Sequence, residues 1–214
     1  MKFEELILSV IRKIYSGIIF RLAFLFSKRE IPTNDKVVYL TFDDGPEEDI
    51  TEFVLDTLRK FNAKATFFCT GENYENHPDL VTLIKNDGHA FGNHTYSHIN
   101  GLYENSELYI DDVYHSKKVI RTTLFRPPWG VLSIKNGLRI SKDNKIFLWS
   151  ISSRDSQNNI DWSRHCESMI KDTNSGSIVL FHFSHQHAEK TRQILPIYLK
   201  RITELGYVSK AIDI

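Results

Sequence analysis

Beyond Pro32 the chain alternates short apolar runs with longer stretches in which apolar residues recur every three or four positions. The runs predict strands over residues 37–42, 65–69, 89–93, 124–126, 146–150, 177–182 and 207–212. The periodic stretches predict helices over 50–61, 79–87, 106–121, 133–142, 161–171 and 188–204. Gly88 and Gly206 fall where helix ends favour a residue tolerant of positive φ. Lys60, Lys85 and Lys171 fall in last turns, where the helix dipole favours cations. Regular alternation of strand and helix, with no internal repeat or low-complexity tract, predicts a parallel α/β architecture, either a barrel or an open doubly wound sheet.

The opening of the chain follows a different pattern. Ile7, Leu8, Val10, Ile11, Ile14, Ile18, Ile19, Leu22, Phe24, Leu25 and Phe26 are interrupted by Arg12, Lys13 and Arg21. Charge recurs too often for a spanning helix of about 20 apolar residues, and no small-residue cleavage site follows. Three readings fit: an anchor touching the membrane surface through residues 1–28, a helix packed on the domain, and an uncleaved signal segment. The expected organisation is an amphipathic segment over 1–31 and a catalytic domain over 32–214. An anchor favours a membrane-associated or cell-envelope location, while the packed helix also suits the cytoplasm.

Composition narrows the partners. With 214 residues, 41% of them hydrophobic, the chain can bury a substantial core. Lys+Arg and Asp+Glu both number 27, so no net charge draws the protein to nucleic acid, and none is expected as a partner. The two cysteines, Cys69 and Cys166, are too few and too far apart for a disulfide framework, and Cys69 in an apolar run is expected to be a buried core residue.

The candidate chemistry gathers at strand ends. In parallel α/β folds ligands collect beyond the carboxyl ends of the strands. Asp43 and Asp44 end the first predicted strand, His94 the third, Arg126 the fourth and His182 the sixth, and Asp155 follows the fifth. One carboxylate with the imidazoles of His94 and His98 makes a three-ligand set with open positions, as in catalytic zinc sites. Two His four apart reach one ion if their segment makes a helical turn. Zinc is the first expectation, and cobalt, nickel or iron(II) would accept the same donors. A cation there would acidify its water and polarise a carbonyl.

Asp43 is then the spare carboxylate, placed to take the proton of the attacking water. Arg126 is expected to orient it through a bidentate bond. His182 is the candidate acid for the departing amine, with Asp155 as the neighbour that raises its pKa. The turn Arg126-Pro127-Pro128-Trp129-Gly130 is stiff enough to present the Trp129 N–H to an oxyanion and its indole to a sugar ring. His185 and His187 lack partners at ligand spacing and are expected in an exposed loop; His77, His89, His115 and His165 are read as ordinary polar residues.

These segments, in this order, resemble the polysaccharide deacetylase family, the NodB-like carbohydrate esterases. Residues 41–46, TFDDGP, match its first motif letter for letter, and residues 94–98, HTYSH, match its second. Residues 126–130 resemble the third, 149–155 the fourth and 180–182 the fifth, so the likeness runs from about Val37 to the C-terminus. The resemblance implies a distorted (β/α) barrel with about seven parallel strands. It also implies Asp43 as base, Asp44, His94 and His98 as metal ligands, His182 as acid, and Arg126 and Asp155 as their tuning partners. Pro128, Trp129 and Leu180 are expected to face the substrate. The chain departs from the family pattern at Ser152, at Ser156 after Asp155 and at Phe183 after His182. The implied activity is metal-dependent deacetylation of an N-acetylated glycan or oligosaccharide. An O-acetyl esterase, a non-sugar amide hydrolase or a glycan-binding pseudoenzyme would keep the same constellation.

Overall fold

The computed structural model describes residues 26–157 and 160–213. Most of the amphipathic segment, and with it the choice among anchor, packed helix and signal, lies outside the described residues.

Among the described residues nine strands pair in parallel: β1 (Ser27–Lys28), β2 (Val37–Asp44), β3 (Ala65–Cys69), β4 (Ala90–Asn93), β5 (Leu124–Phe125), β6 (Lys145–Phe147), β7 (Ile151–Ser152), β8 (Ile178–His182) and β9 (Val208–Ser209). Eight run in the order β1-β6-β5-β4-β3-β2-β8-β7, and β9 pairs with the start of β2. Every predicted strand is present. The two additions, β1 and β7, are two residues long, too short for alternation to reveal them. The edges of this open barrel are drawn together where Glu30 bridges Ser177 and Ile31 N–H donates to Gly176 O at 2.9 Å. Gly176 makes this approach feasible: its φ is +88°, and a Cβ there would lie 2.2 Å from the Ile31 carbonyl oxygen.

Among the described residues seven α-helices connect the strands: α1 (Ile50–Lys60), α2 (Gly71–Asn76), α3 (Pro78–Asn86), α4 (Ser106–Ile120), α5 (Ile134–Ile140), α6 (Trp162–Asp172) and α7 (Ala188–Glu204). The six predicted from apolar period are present. The seventh, α2, has the polar sequence GENYEN and no apolar stripe; it forms because Thr70 caps it, its side chain accepting from Asn73 N–H. The other helices follow their patterns. On α4, Tyr109, Ile110, Val113 and Ile120 are buried, Asn105 caps the start, and Arg121 in the left-handed region ends it.

Strand alternation divides the core. On β2, Val38, Leu40 and Phe42 face the helices and pack with Phe67, Phe181, Phe183 and residues of α1 and α7. Phe42→Ala should cost about 3–5 kcal/mol by the usual cavity cost of a buried aromatic. The opposite face of β2 carries Thr41 and Asp43. There the chain places a buried arginine, Arg126, whose guanidinium lies 4.1 Å over the Phe68 ring. Register sets the neighbours of the site: Asp43 pairs with His182 on β8, and Asp44 pairs with Cys69, which in turn pairs with Asn93 beside His94.

Candidate metal and acid–base site

At the carboxyl end of β2 the backbone twists sharply. Asp44 has φ 88°, and its carbonyl accepts from Asn73 Nδ2 at 3.1 Å and Thr70 Oγ1 at 3.2 Å. These bonds hold a non-glycine residue in a conformation it would otherwise avoid. The following Gly45 lies against Phe183, where a Cβ would come within 2.6 Å of the Phe183 carbonyl oxygen. Asp43 and Asp44 therefore point in different directions from adjacent positions.

His94 and His98 reach Asp44 without the helical turn expected between them. Thr95 and His98 adopt φ 65° and 52°, and the loop is pinned by Asp112 of α4, which accepts from Tyr96 N–H at 2.7 Å and Ser97 N–H at 3.2 Å. Asp44 Oδ1 lies 3.2 Å from His98 Nε2 and 3.6 Å from His94 Nε2. The three ligand atoms fall within 4.8 Å of one another.

The protonation of His94 tests whether these residues suit a cation. Its Nδ1 lies 2.8 Å from the Arg126 carbonyl, which can only accept, so Nδ1 carries the proton. Burial pushes its pKa down to about 4 against the pull of Asp43, leaving the ring neutral. Nε2 then directs a lone pair at Asp44 Oδ1 and, at 3.9 Å, at Asp43 Oδ2. Burial also opposes charge on Asp44, yet the hydrogen bond from His98 and the charge of His182 hold its carboxyl well below the usual carboxylate range. The Asp44 carboxylate and the His94 Nε2 lone pair, turned toward one another in a buried corner, fit a divalent cation between them, which would take the place of the hydrogen that His98 shares with Asp44.

Asp43 stands beside this cluster, 3% exposed and tied to Arg126. Arg126 Nη1 donates to Asp43 Oδ1 at 2.7 Å and to Thr41 Oγ1 at 2.8 Å, while Nε and Nη2 donate to the Phe147 and Leu148 carbonyls. The expected bidentate fork is not formed. The Phe147 and Leu148 carbonyls take the other donors, and Asp43 keeps Oδ2 free to face His94.

Across the cleft, His182 Nδ1 lies 2.6 Å from Asp155 Oδ1, and Asp155 Oδ2 accepts from His182 N–H and Thr191 Oγ1. Burial would lower the His182 pKa, but the Asp155 carboxylate, with Asp44 and Asp43, pushes it up to about 9. Phe183 turns away into the helix–sheet core, so the polar support of His182 comes from Asp155 and Thr191.

The cleft of about 620 Å³ is lined by Asp43, Asp44, His94, His98, His182 and Leu180, with Trp129, Trp149, Ser152 and Ser156 at its rim. Trp129, 55% exposed, meets His98 edge-on at 4.5 Å. Pro128 is buried and does not line the cleft, because the left-handed turn at Trp129 (φ 55°) directs the indole outward and leaves the proline behind it. His185 is exposed as expected, bonded to Glu47. His187 corrects the exposed-loop reading. It is buried, its ring lies 4.8 Å from that of His182, and its Nε2 lies 4.0 Å from Asp44 Oδ2. Its place before α7, one turn after β8, was the available signal. Cys69 and Cys166 are buried and free, and burial with the nearby Asp43 charge pushes the Cys69 thiol up, as befits an inert core residue.

This geometry has counterparts. The family described as polysaccharide deacetylase matches residues 30–143. A peptidoglycan-N-acetylglucosamine deacetylase of Bacillus cereus is 32% identical over 191 residues, spanning 83% of this chain and 87% of its own length. The peptidoglycan-N-acetylmuramic acid deacetylase PdaA of Bacillus subtilis is 30% identical over 194 residues, spanning 85% of this chain and 72% of its own length. Among solved structures, the Bc1960 peptidoglycan N-acetylglucosamine deacetylase in complex with 4-naphthalen-1-yl-N-oxidanyl-benzamide superposes with a TM-score of 0.80 at 28% identity, covering 86% of this chain and 89% of that one. With its motifs, its parallel open barrel and its strand-end cluster, the chain belongs to the polysaccharide deacetylase family of hydrolases.

Proposed function

We propose that the protein is a divalent-metal-dependent deacetylase of N-acetylated sugars in a peptidoglycan-type glycan. The observation that carries this reading is the grouping of Asp44, His94 and His98 between two further acid–base pairs, Asp43–Arg126 and Asp155–His182. Asp44, His94 and His98 would hold the ion, zinc first, whose charge acidifies a ligated water and polarises the acetyl carbonyl.

The chain's own groups would manage the protons. Asp43, with Oδ1 held by Arg126, offers Oδ2 to the proton of the attacking water. His182, charged through Asp155, presents Nε2 to the sugar nitrogen and gives it a proton as the C–N bond breaks. Acetate and the sugar amine leave, with Asp43 and His182 each one proton transfer from their starting states. Trp129 and Leu180 flank the cluster and would position the sugar ring. Cleft volume and an open rim suit an extended glycan, whose neighbouring sugars continue past the reacting one.

The relatives' substrates lie in peptidoglycan, which favours the cell envelope, with the amphipathic segment over 1–31 as a surface anchor. Among the described residues no helix is long and apolar enough to cross a membrane. Fractionation of the full chain beside one starting near Ile31 tests the anchor: equal solubility counts against it. Acetate release from N-acetylglucosamine oligomers and from peptidoglycan, with and without chelator, tests the activity. Turnover that survives complete metal removal would refute the reading.

A further inference from the structure

The catalytic cleft does not stop at its rim. Trp149 and Ser152 form a wall shared with a second, polar pocket of about 330 Å³, which Arg29, Arg154 and His165 also line. Two of these cationic or ionisable groups are fixed to the wall itself. Arg29 Nε donates to the Trp149 carbonyl at 2.9 Å, and His165 Nε2 lies 3.0 Å from the Ser152 carbonyl, to which it donates. Arg154 is set by its backbone. It has φ 55°, and its N–H donates to Ser152 Oγ at 3.2 Å, one residue before the Asp155 that pairs with His182.

Arg154 is exposed and, among the described residues, makes no ion pair with an acid. The acid that lines the same pocket, Asp172, accepts from Ser168 Oγ at 3.2 Å. An exposed guanidinium lining a pocket beside a sugar-sized cleft, with its donors in a planar fork, suits a carboxylate. The sugars named for the relatives differ in one group: N-acetylmuramic acid carries a lactyl ether, whose carboxyl is a free carboxylate wherever no peptide is attached, and N-acetylglucosamine does not.

We propose that the Arg29–Arg154 pocket is a subsite for the carboxylate of a muramyl residue, with Arg154 as the specificity-determining residue. The substrate class is then an alternating muramyl glycan rather than a neutral N-acetylglucosamine polymer. This rests on the proposed glycan reading for its biological meaning, but its test does not require turnover.

Calorimetric binding of a peptide-free N-acetylglucosamine–N-acetylmuramic acid tetrasaccharide is compared with binding of N-acetylglucosamine tetramer, using the full chain. The expected preference for the carboxylated ligand is about tenfold, the scale of one partly solvated charge-assisted contact. Arg154→Gln should remove that preference and leave the affinity for the neutral tetramer and the melting temperature unchanged. Converting the lactyl carboxylates to amides should do the same to the unaltered protein. A peptide-bearing glycan separates lactyl from peptide carboxylates: a preference seen only when peptide is attached overturns the lactyl assignment. Equal binding of the two tetrasaccharides, or a preference untouched by Arg154→Gln, overturns the subsite. Loss of acetate release from every glycan would instead strike the deacetylase reading and leave these binding outcomes to be judged separately.

Discussion

Asp43 and Asp155 are both buried at the carboxyl end of the barrel, and each is tied to a cation, yet the two pairs are built for different work. Arg126 is fully enclosed under Phe68, donates to two backbone carbonyls and Thr41 as well as Asp43, and cannot release its proton at any working pH. His182 sits at the cleft with 16% of its side chain exposed, and its charge depends on pH. The carboxylates are alike; what separates the pairs is whether the cation titrates and whether solvent reaches it. The first pair fixes the direction of one oxygen, and the second holds a transferable proton.

Breaking the enclosed pair should have the largest effect. Arg126→Met strands a buried Asp43 carboxylate and three further acceptors, so denaturant unfolding should show a loss of about 3–5 kcal/mol along with activity. A variant as stable as the parent would mean the pair is not sealed. Asp43→Asn is milder for the fold, because the amide oxygen still accepts from Arg126. It should lower kcat by about 10²–10⁴ while elemental analysis finds the metal content unchanged.

The open pair is sharpened by pH. His182 must be protonated to act as an acid, and its raised pKa keeps it so up to about 9; activity should fall as pH rises past that limb. A cation on Asp44 cancels part of that carboxylate's contribution, so the limb lies at or below about 9. Asp155→Asn removes the largest raising charge. The limb should move to lower pH and kcat drop about 10²-fold, with a smaller stability loss than Arg126→Met. A pH–rate profile with an unmoved limb would detach His182 from Asp155. The smallest effect is expected at Trp129, which belongs to neither pair: Trp129→Ala should raise KM severalfold, the loss of one stacking face, with kcat nearly preserved.

Legibility followed the kind of interaction. Seven strands and six amphipathic helices were readable because each lies in an apolar run or carries a periodic apolar face toward the core. The two-residue strands β1 and β7 and the polar helix α2 were not, since pairing partners and one cap at Thr70 decide them. At the site, Asp43, Asp44, His94, His98, Arg126, Asp155 and His182 were named as candidates from residue type and strand-end position. The single bond from Arg126 to Asp43, the outward turn of Trp129 over a buried Pro128, and the burial of His187 against His182 were not visible, because each depends on a remote partner or a left-handed residue.

The amino-acid order by itself determined the alternating α/β elements, the supply of carboxylate, imidazole and guanidinium side chains, and their places at strand ends, because periodicity and residue chemistry act locally along the chain. Only the tertiary structure decided which oxygen of Asp43 stays free, that His94 is a neutral Nδ1–H tautomer, and that Arg29 and Arg154 line one pocket beside the cleft. Those outcomes come from register between strands and from the low-dielectric interior it creates, where a carbonyl or carboxylate brought from far along the chain sets the charge and direction of its neighbour.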